Sequence, residues 1–266
     1  MNNSPYEIVK TARGNKRPTG NDYIRNIFKG FFELRGDRHF ADDPAIIGGV
    51  AFLDEMPVTV IAVEKGKTAK DRIRRAFGAP SPEGYRKALR LMKQAEKFGM
   101  PVICFVDTSG AFCGVGAEER GQGRAIAVNL MEMMTLKTPI ISIVVGEGGS
   151  GGALALAVAD QVWMLENAIY SVISPEGCAS ILWKDAQMAP QAAECLKLTA
   201  VDGLENGCAD KIISEENIGK DCFFDEIKEE IVKELEILNK KSIDELLEDR
   251  YQRFRKLGAY EDSAEV

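Results

Sequence analysis

Residues 140–157 decide the fold, and they read IISIVVGEGGSGGALALA. A β-branched run ends at a cluster of glycines, and a run rich in alanine and leucine follows. This order predicts a buried strand over 140–145, a tight turn and a helix over 150–159. The first amides of a helix have no intrahelical acceptor and carry a partial positive charge. Because Gly151 and Gly152 have no Cβ, a ligand oxygen could approach their amides closely, which predicts an oxyanion site.

A second interpretation of these glycines is that they only let the helix pack closely on the strand. Another glycine-rich loop, DTSGAFCGVGAEER at 107–120, follows a predicted strand over 102–106. Loops at the C-terminal ends of parallel strands line the ligand crevice of such sheets, so the two loops are expected to face one another across a site. Neither loop matches a P-loop or a dinucleotide-binding fingerprint. The substrate-binding candidates in these loops are Gly110, Gly114, Gly116, Gly148 and Gly149.

The rest of the chain is expected to alternate between strands and helices. Strands are predicted over 46–53, 57–63 and 161–165, and helices over 82–98, 118–136, 224–238 and 242–257. Apolar residues at helical spacing within 21–32 predict one further helix. The alternation predicts an α/β fold with a parallel sheet. We distinguish an N-terminal arm at 1–40, a core at 41–215 and a C-terminal helical segment at 216–266. The C-terminal segment is either a solvated pair of helices or an interface with a partner.

Composition and charge exclude several classes of function. The 266 residues carry a net charge of −7, which argues against general nucleic-acid binding. No apolar run reaches the length of a membrane span, and the first twenty residues lack the apolar core of a signal peptide, so we expect a cytoplasmic protein. The six cysteines form no CxxC pair, so we expect reduced thiols and no metal site. The single histidine, His39, excludes many mechanisms.

One basic run stands out in this acidic chain, between Lys65 and Lys93. It is either an ordinary solvated surface or a positive patch that attracts the phosphates of a nucleotide-bearing substrate or an acidic carrier domain. Arg74 and Arg75 are the binding candidates within this run.

Several long motifs together resemble a known family. They are the glycine-rich stretch 146–155, YSVISPEGCASILW at 170–183, GDR at 36–38, PEGYRKA at 82–88, GVGAEERGQ at 114–122 and RYQR at 250–253. The chain resembles the alpha subunits of the bacterial acetyl-CoA carboxylase carboxyltransferase, from about Tyr23 to Ile213 and again in the charged tail. Ser109, Phe112 and Cys113 replace the Pro, Tyr and Pro that the family loop usually has.

The resemblance implies a crotonase-like superhelix of ββα units and an α2β2 assembly. It implies transfer of a carboxyl group from carboxybiotin, on the biotin carrier protein, to acetyl-CoA, giving malonyl-CoA in the first committed step of fatty-acid synthesis. Gly151 and Gly152 would form the oxyanion hole on the biotin side. The beta subunit would supply the acyl-CoA oxyanion hole and the zinc ribbon, and a separate biotin carboxylase would use ATP. No cofactor is expected to be covalently bound to this chain.

Fixed amides can stabilise the oxygen anions of such a reaction without a metal. Glu147 and Glu176 are candidates for direct participation, or else for capping and loop hydrogen bonds. A serine peptidase of the same superfold would use Ser150 and would need His39. A hydratase or isomerase would need paired carboxylates on opposite loops. A non-enzymatic scaffold subunit would only dock a carrier protein.

Overall fold

The computed structural model describes residues 3–220 and 222–258. Its strands are β1 Lys29–Glu33, β2 Ile46–Leu53, β3 Met56–Val63, β4 Val102–Thr108, β5 Ile140–Gly149, β6 Gln161–Leu165, β7 Ile169–Ser171 and β8 Lys211–Ile213. Its α-helices are α1 Pro5–Ala12, α2 Gly20–Ile27, α3 Ala69–Arg74, α4 Pro82–Phe98, α5 Val115–Glu119, α6 Gln122–Met134, α7 Ser150–Leu154, α8 Pro175–Leu182, α9 Ala189–Leu196, α10 Ala200–Glu205, α11 Cys222–Leu238 and α12 Ile243–Arg255.

The strands form one sheet in the order β1-β2-β3-β4-β5-β6-β8, and β7 pairs with the end of β5. The first two pairings are antiparallel, and every pairing from β3 onward is parallel. Strand order follows chain order, whereas a doubly wound sheet reverses its order at a switch point. Successive strand–helix units therefore wind in one direction, and the predicted α/β class with a parallel sheet is confirmed.

Helix α4 forms where the sequence predicts it, and its ends explain why. Pro82 occupies the first turn, where a missing N–H costs nothing, and Gly99 closes the helix in the left-handed region at φ 63°. One face buries Ala88, Leu91 and Met92 in the core that the sheet residues share. The predicted strand 46–53 is observed with the same bounds as β2, and 161–165 as β6.

Other predicted bounds are wrong, each for a local reason. The helix within 21–32 ends at Ile27, and the following residues form β1. The helix over 118–136 is divided at Gly121, whose φ of 81° a helix does not accommodate. Strand β5 runs on through the glycines to Gly149, because its last residues pair with β7. Helix α7 consequently has five residues and does not reach Ala159.

The flanking segments share the core of the central region. Tyr23 of α2 stacks on Phe105 of β4 at 5.0 Å between ring centroids and meets Phe223 of α11 edge-on at 6.4 Å. The division of the chain into an arm, a core and a C-terminal segment stays a prediction. Residues 1 and 2 of the arm, and residues 221 and 259–266 of the C-terminal segment, lie outside the described residues. No helix within the described residues is long and apolar enough to span a membrane.

Candidate functional site

The two glycine-rich loops touch each other directly. A Cβ on Gly149 would overlap the carbonyl group of Ser109. A Cβ on Gly152 would overlap the amide of Ala111 and would lie 2.9 Å from the hydroxyl of Tyr85. At these two positions glycine is therefore required for close packing, as in the second interpretation, but the packing is on the loop at 109–111 rather than of the helix on the strand.

Gly151 is different, because the space beside it is open. A Cβ there would meet only Cγ2 of Ile126, at 3.5 Å. Gly151 is half-buried and lines a cavity of about 290 Å³ next to Ser150. The other walls come from Leu154 and Ala157, from Tyr170, Ser171 and Val172, from Lys197, Gly203, Asn206 and Cys208, and from Arg253, Phe254 and Leu257 of the C-terminal segment.

Two buried side chains hold the segment that follows Gly151. The Tyr85 hydroxyl donates to the carbonyl oxygen of Gly152 at 3.1 Å, and the Asn129 amide donates to that of Ala155 at 3.1 Å. Burial raises the pKa of Tyr85, so its hydroxyl stays protonated as a donor. The amides of Gly151 and Gly152 belong to the first turn of α7, where no intrahelical acceptor exists.

The remaining loop candidates lie around this packing contact. Gly110 accepts a hydrogen bond on its carbonyl oxygen from Thr108 Oγ1 at 2.8 Å, and nothing fills the space beside its Cα within 4 Å. Gly114 packs against the ring of Phe112, and Gly116 lies close to the Arg120 guanidinium. Gly148 is buried under Tyr170. The structure thus brings Gly110, Gly149 and Gly152 together and leaves Gly114 and Gly116 on the outer part of the loop.

The two candidate carboxylates are held in ion pairs. Glu147 lies 3.0 Å from Lys65 Nζ and 2.8 Å from Arg13 Nε, and Arg13 Nη1 lies 2.8 Å from Glu176. Burial raises the pKa of Glu147, but the charge of Lys65 and the hydrogen bonds from Arg13 and Lys65 outweigh it, so this pKa is lowered. The pKa of Glu176 is also lowered, since Arg13 outweighs its burial. A carboxylate with a lowered pKa is a weak proton acceptor, and this favours the hydrogen-bonding interpretation of both residues.

The basic run between Lys65 and Lys93 is largely paired within the chain. Arg74 and Arg75 share the carboxylate of Asp71 at 2.6 and 3.0 Å, and Arg75 also donates to the carbonyl oxygen of Pro44 at 2.6 Å. Both arginines line a separate cavity beside α2 rather than the cavity at Gly151. Of the two, Arg74 is more exposed, so it remains available to an anionic partner.

The geometry does not assemble a serine triad. Ser150 lines the cavity at Gly151, whereas His39 lies in a groove beside Arg86 and Arg90. Within the described residues, no group of three His, Cys, Asp or Glu side chains is placed to hold a metal.

Comparison with known proteins decides the family. A family model described as acetyl co-enzyme A carboxylase carboxyltransferase-like matches residues 1–258. The chain belongs to this family. The acetyl-coenzyme A carboxylase carboxyl transferase subunit alpha of Streptococcus pyogenes serotype M5 (strain Manfredo) is 59% identical over 249 residues, which are 94% of this chain and 97% of that protein. The resemblance to carboxyltransferase alpha subunits is thereby confirmed.

A second relative is longer. The acetyl-coenzyme A carboxylase carboxyl transferase subunits beta/alpha of Natranaerobius thermophilus is 58% identical over 261 residues. Those residues are 97% of this chain, which spans 43% of that relative.

Solved structures of low identity share the fold of this carboxyltransferase family member. Transcarboxylase 12S superposes with a TM-score of 0.71 at 20% identity, over 86% of this chain and 43% of that one. The beta subunit of geranyl-CoA carboxylase from P. aeruginosa gives 0.66 at 17% identity, over 92% and 45%. A Pseudomonas malonate decarboxylase hetero-tetramer with coenzyme A gives 0.66 at 16% identity, over 80% and 87%. The predicted crotonase-like fold is confirmed.

Sequence reasoning missed three parts of the site. It did not place the C-terminal segment at the cavity, although its motif 250–253 includes Arg253. It did not predict that Arg13 and Lys65 pair with Glu147, which is distant from both in the sequence. Their only sequence feature is their basic character, which does not identify a partner.

Proposed function

We propose that the chain carries the biotin side of a carboxyltransferase site. Its reaction moves a carboxyl group from carboxybiotin, on a biotin carrier protein, to acetyl-CoA and gives malonyl-CoA for fatty-acid synthesis. The observation that carries the proposal is the open space at Gly151 beside a cavity, in a chain that belongs to this family. The cavity volume is close to the lower end of the roughly 300–1,000 Å³ range of small-molecule pockets.

In the proposed mechanism the amides of Gly151 and Gly152 meet the biotin ureido oxygen as negative charge develops on it. Amide donors fixed before the reaction stabilise such charge strongly in a site that excludes water. Leu154, Tyr170, Val172 and Phe254 supply apolar walls for the ligand. Glu147 and Glu176 stay ionised in their pairs with Arg13, so they hold the site rather than move protons. The biotin anion itself is the proposed acceptor of the acetyl proton.

The proposed assembly is an α2β2 heterotetramer in the cytoplasm. A beta subunit with a zinc ribbon would supply the second oxyanion hole and most of the acyl-CoA site, and a biotin carboxylase would load the carrier with ATP. Two observations support a partner. One is a relative whose name joins beta and alpha subunits, and the other is exposed apolar side chains, among them Val172 at the cavity and Val115 on the loop at 107–120.

Reconstitution tests the proposed function. We expect the purified chain alone to have negligible malonyl-CoA decarboxylation with biotin as acceptor, and we expect activity to appear when a carboxyltransferase beta subunit is added. The measurement is acetyl-CoA release against the molar ratio of the two chains, which should saturate at one to one. Full activity from this chain alone, or none from a stable complex of the two, would refute the proposal.

Arg74 tests the proposed electrostatic attraction of the substrates. Arg74→Glu is expected to raise the apparent KM for acyl-CoA or biotin carrier by roughly tenfold at low salt, since charge reversal weakens the steering of anions. The effect should fade between about 0.1 M and 1 M salt, as the screening length falls from about 10 Å to about 3 Å. Arg75 is unsuitable because its contact with Pro44 is structural. Lys240→Glu makes the same charge change at an exposed position and serves as the control; equal KM values for the two variants would place Arg74 on an unused surface.

A further inference from the structure

The register between β4 and β5 shifts just before the glycine loops. Val106 pairs with Val144, and the next pairing is Thr108 with Gly148. Strand β4 thus advances from 106 to 108 while β5 advances from 144 to 148, so β5 carries extra residues at this point. A bulge of this kind redirects the strand that contains it. Here the bulge determines the position along the sheet at which Gly149 and Gly152 contact the loop at 109–111.

The side chain of Asp107 fills the shifted segment. Its Oδ1 accepts the backbone N–H of Glu147 at 2.8 Å, which replaces a strand pairing that the shift removes. Gly146 has no space for a Cβ because the Asp107 carboxylate occupies it. The offset between the strands therefore depends on a buried charged group rather than on the backbone ladder alone.

Cations hold this carboxylate and its neighbour together. Lys65 follows the end of β3, and its Nζ lies 2.6 Å from Asp107 and 3.0 Å from Glu147. Arg13 follows α1 and joins Glu147 to Glu176 at the start of α8. Burial lowers the pKa of Lys65, but the charges of Asp107 and Glu147 outweigh it and raise this pKa, so the ammonium stays charged. The other charged groups that face these pairs are Arg17, which pairs with Glu215, and Arg72. Both line one cavity together with Arg13, Lys65, Asp107 and Glu147, and it is separate from the cavity at Gly151.

We propose that Lys65, Asp107, Glu147 and Arg13 form a positioning network that fixes the β4–β5 offset and thereby aligns the two glycine loops for carboxyl transfer. The kinetic consequence of this inference rests on the proposed function, whereas the alignment of the two loops does not depend on that function. None of the four residues needs to touch a substrate. Their effect passes through the position of the Gly151 amide, and a displacement of about 1 Å can cost roughly a hundredfold in rate.

Removing the charge of Lys65 has a specific consequence. Asp107 and Glu147 would face each other as two carboxylates with Arg13 as the remaining close cation, and their repulsion would widen the bulge. Without the Lys65 ammonium the pKa of Glu147 would rise, so lower pH would protonate Glu147 and relieve the repulsion. A loss of packing alone would show no such pH dependence.

The experiment uses Lys65→Met in the complex with the beta subunit. We expect kcat to fall about a hundredfold with KM changed less than about threefold. We also expect the ratio of variant to wild-type kcat to rise as pH falls toward the ordinary glutamate pKa of 4.5. The double variant Lys65→Met/Asp107→Asn should recover most of the loss, because Asn keeps an acceptor for the Glu147 amide and removes the repulsion. Lys233→Met, which removes an exposed lysine paired with Glu230 on α11, is the matched control.

Hydrogen exchange of residues 146–152 in the purified chain provides a measurement that does not depend on activity. Exchange in this segment should be at least about tenfold faster in Lys65→Met and unchanged in Lys233→Met. Wild-type exchange together with a wild-type pH profile would overturn the network. If Lys65→Met does not fold, Arg13→Gln is measured in its place, since Arg13 is about one-third exposed (34%), and unchanged exchange and kcat there would overturn the inference as well. An inactive wild-type complex would refute the proposed function and leave the exchange test intact.

Discussion

Gly151→Val is expected to reduce carboxyl transfer roughly a hundredfold to a thousandfold, while the chain still folds and binds its partner. Valine keeps its backbone N–H, but its side chain would hold the ureido oxygen away from that donor, and losing one oxyanion donor costs about 2.7–4 kcal/mol of transition-state stabilisation. The added side chain would extend into the cavity where the ureido oxygen must approach. The fold should tolerate it, because a Cβ at Gly151 meets only Ile126 at 3.5 Å. The measurement is kcat in the reconstituted complex, together with thermal unfolding and gel filtration of the variant.

Two other glycines serve as comparisons. Gly123 on α6 is exposed, and no atom lies within 4 Å of the position that a Cβ would take there. Gly123→Val therefore reports the cost of valine in a helix and should leave kcat near wild type. Gly152→Val should fail to fold normally, because its Cβ would overlap the Ala111 amide. Equal kcat for the Gly151 and Gly123 variants would remove Gly151 from the site.

Arg250→Met is expected to destabilise the chain by about 3–5 kcal/mol, since removing one partner of a buried ion pair leaves the other charge uncompensated. Arg250 of α12 is 1% exposed, and its guanidinium lies 2.8 Å from Asp160. It also donates to the carbonyl oxygens of Met133, Leu136 and Thr138 at 2.7 to 3.0 Å. Several segments of the chain are joined at this one side chain.

Urea unfolding of the purified chain, followed by circular dichroism, measures this loss. Lys241→Met removes an ion pair between Lys241, which precedes α12, and the exposed Asp249 of the same helix, and surface pairs contribute about 0–1 kcal/mol. A difference of less than about 1 kcal/mol between the two variants would show that Arg250 does not anchor α12. Because α12 supplies Phe254 to the cavity at Gly151, its loss should also lower activity.

Local patterns predicted most of the fold. The bounds of α4, β2 and β6 follow from caps, turns and β-branched runs that lie within a few residues of each end. The end of β5 could not be predicted in this way. Its residues are typical of a turn, but they extend because β7, about twenty residues later, pairs with them.

The candidate site was predictable only as a stretch of sequence. Positions 149, 151 and 152 are all glycine in the sequence. Composition therefore cannot show that Gly149 and Gly152 permit close packing whereas Gly151 lies beside open space. That distinction depends on Ser109, Ala111 and Ile126, which other segments bring to the motif. The ion pairs of Lys65 and Arg13 likewise join residues far apart in sequence, and nothing local identifies their partners.

The comparison of Ser150→Ala with Gly151→Val, in the same complex with the beta subunit, tests the central claim most directly. Carboxyl transfer through backbone amides predicts that Ser150→Ala keeps kcat within about threefold of wild type, because the hydroxyl takes no part, while Gly151→Val loses roughly a hundredfold or more. A Ser150→Ala variant without activity beside a Gly151→Val variant that retains it would contradict the account and establish a serine nucleophile.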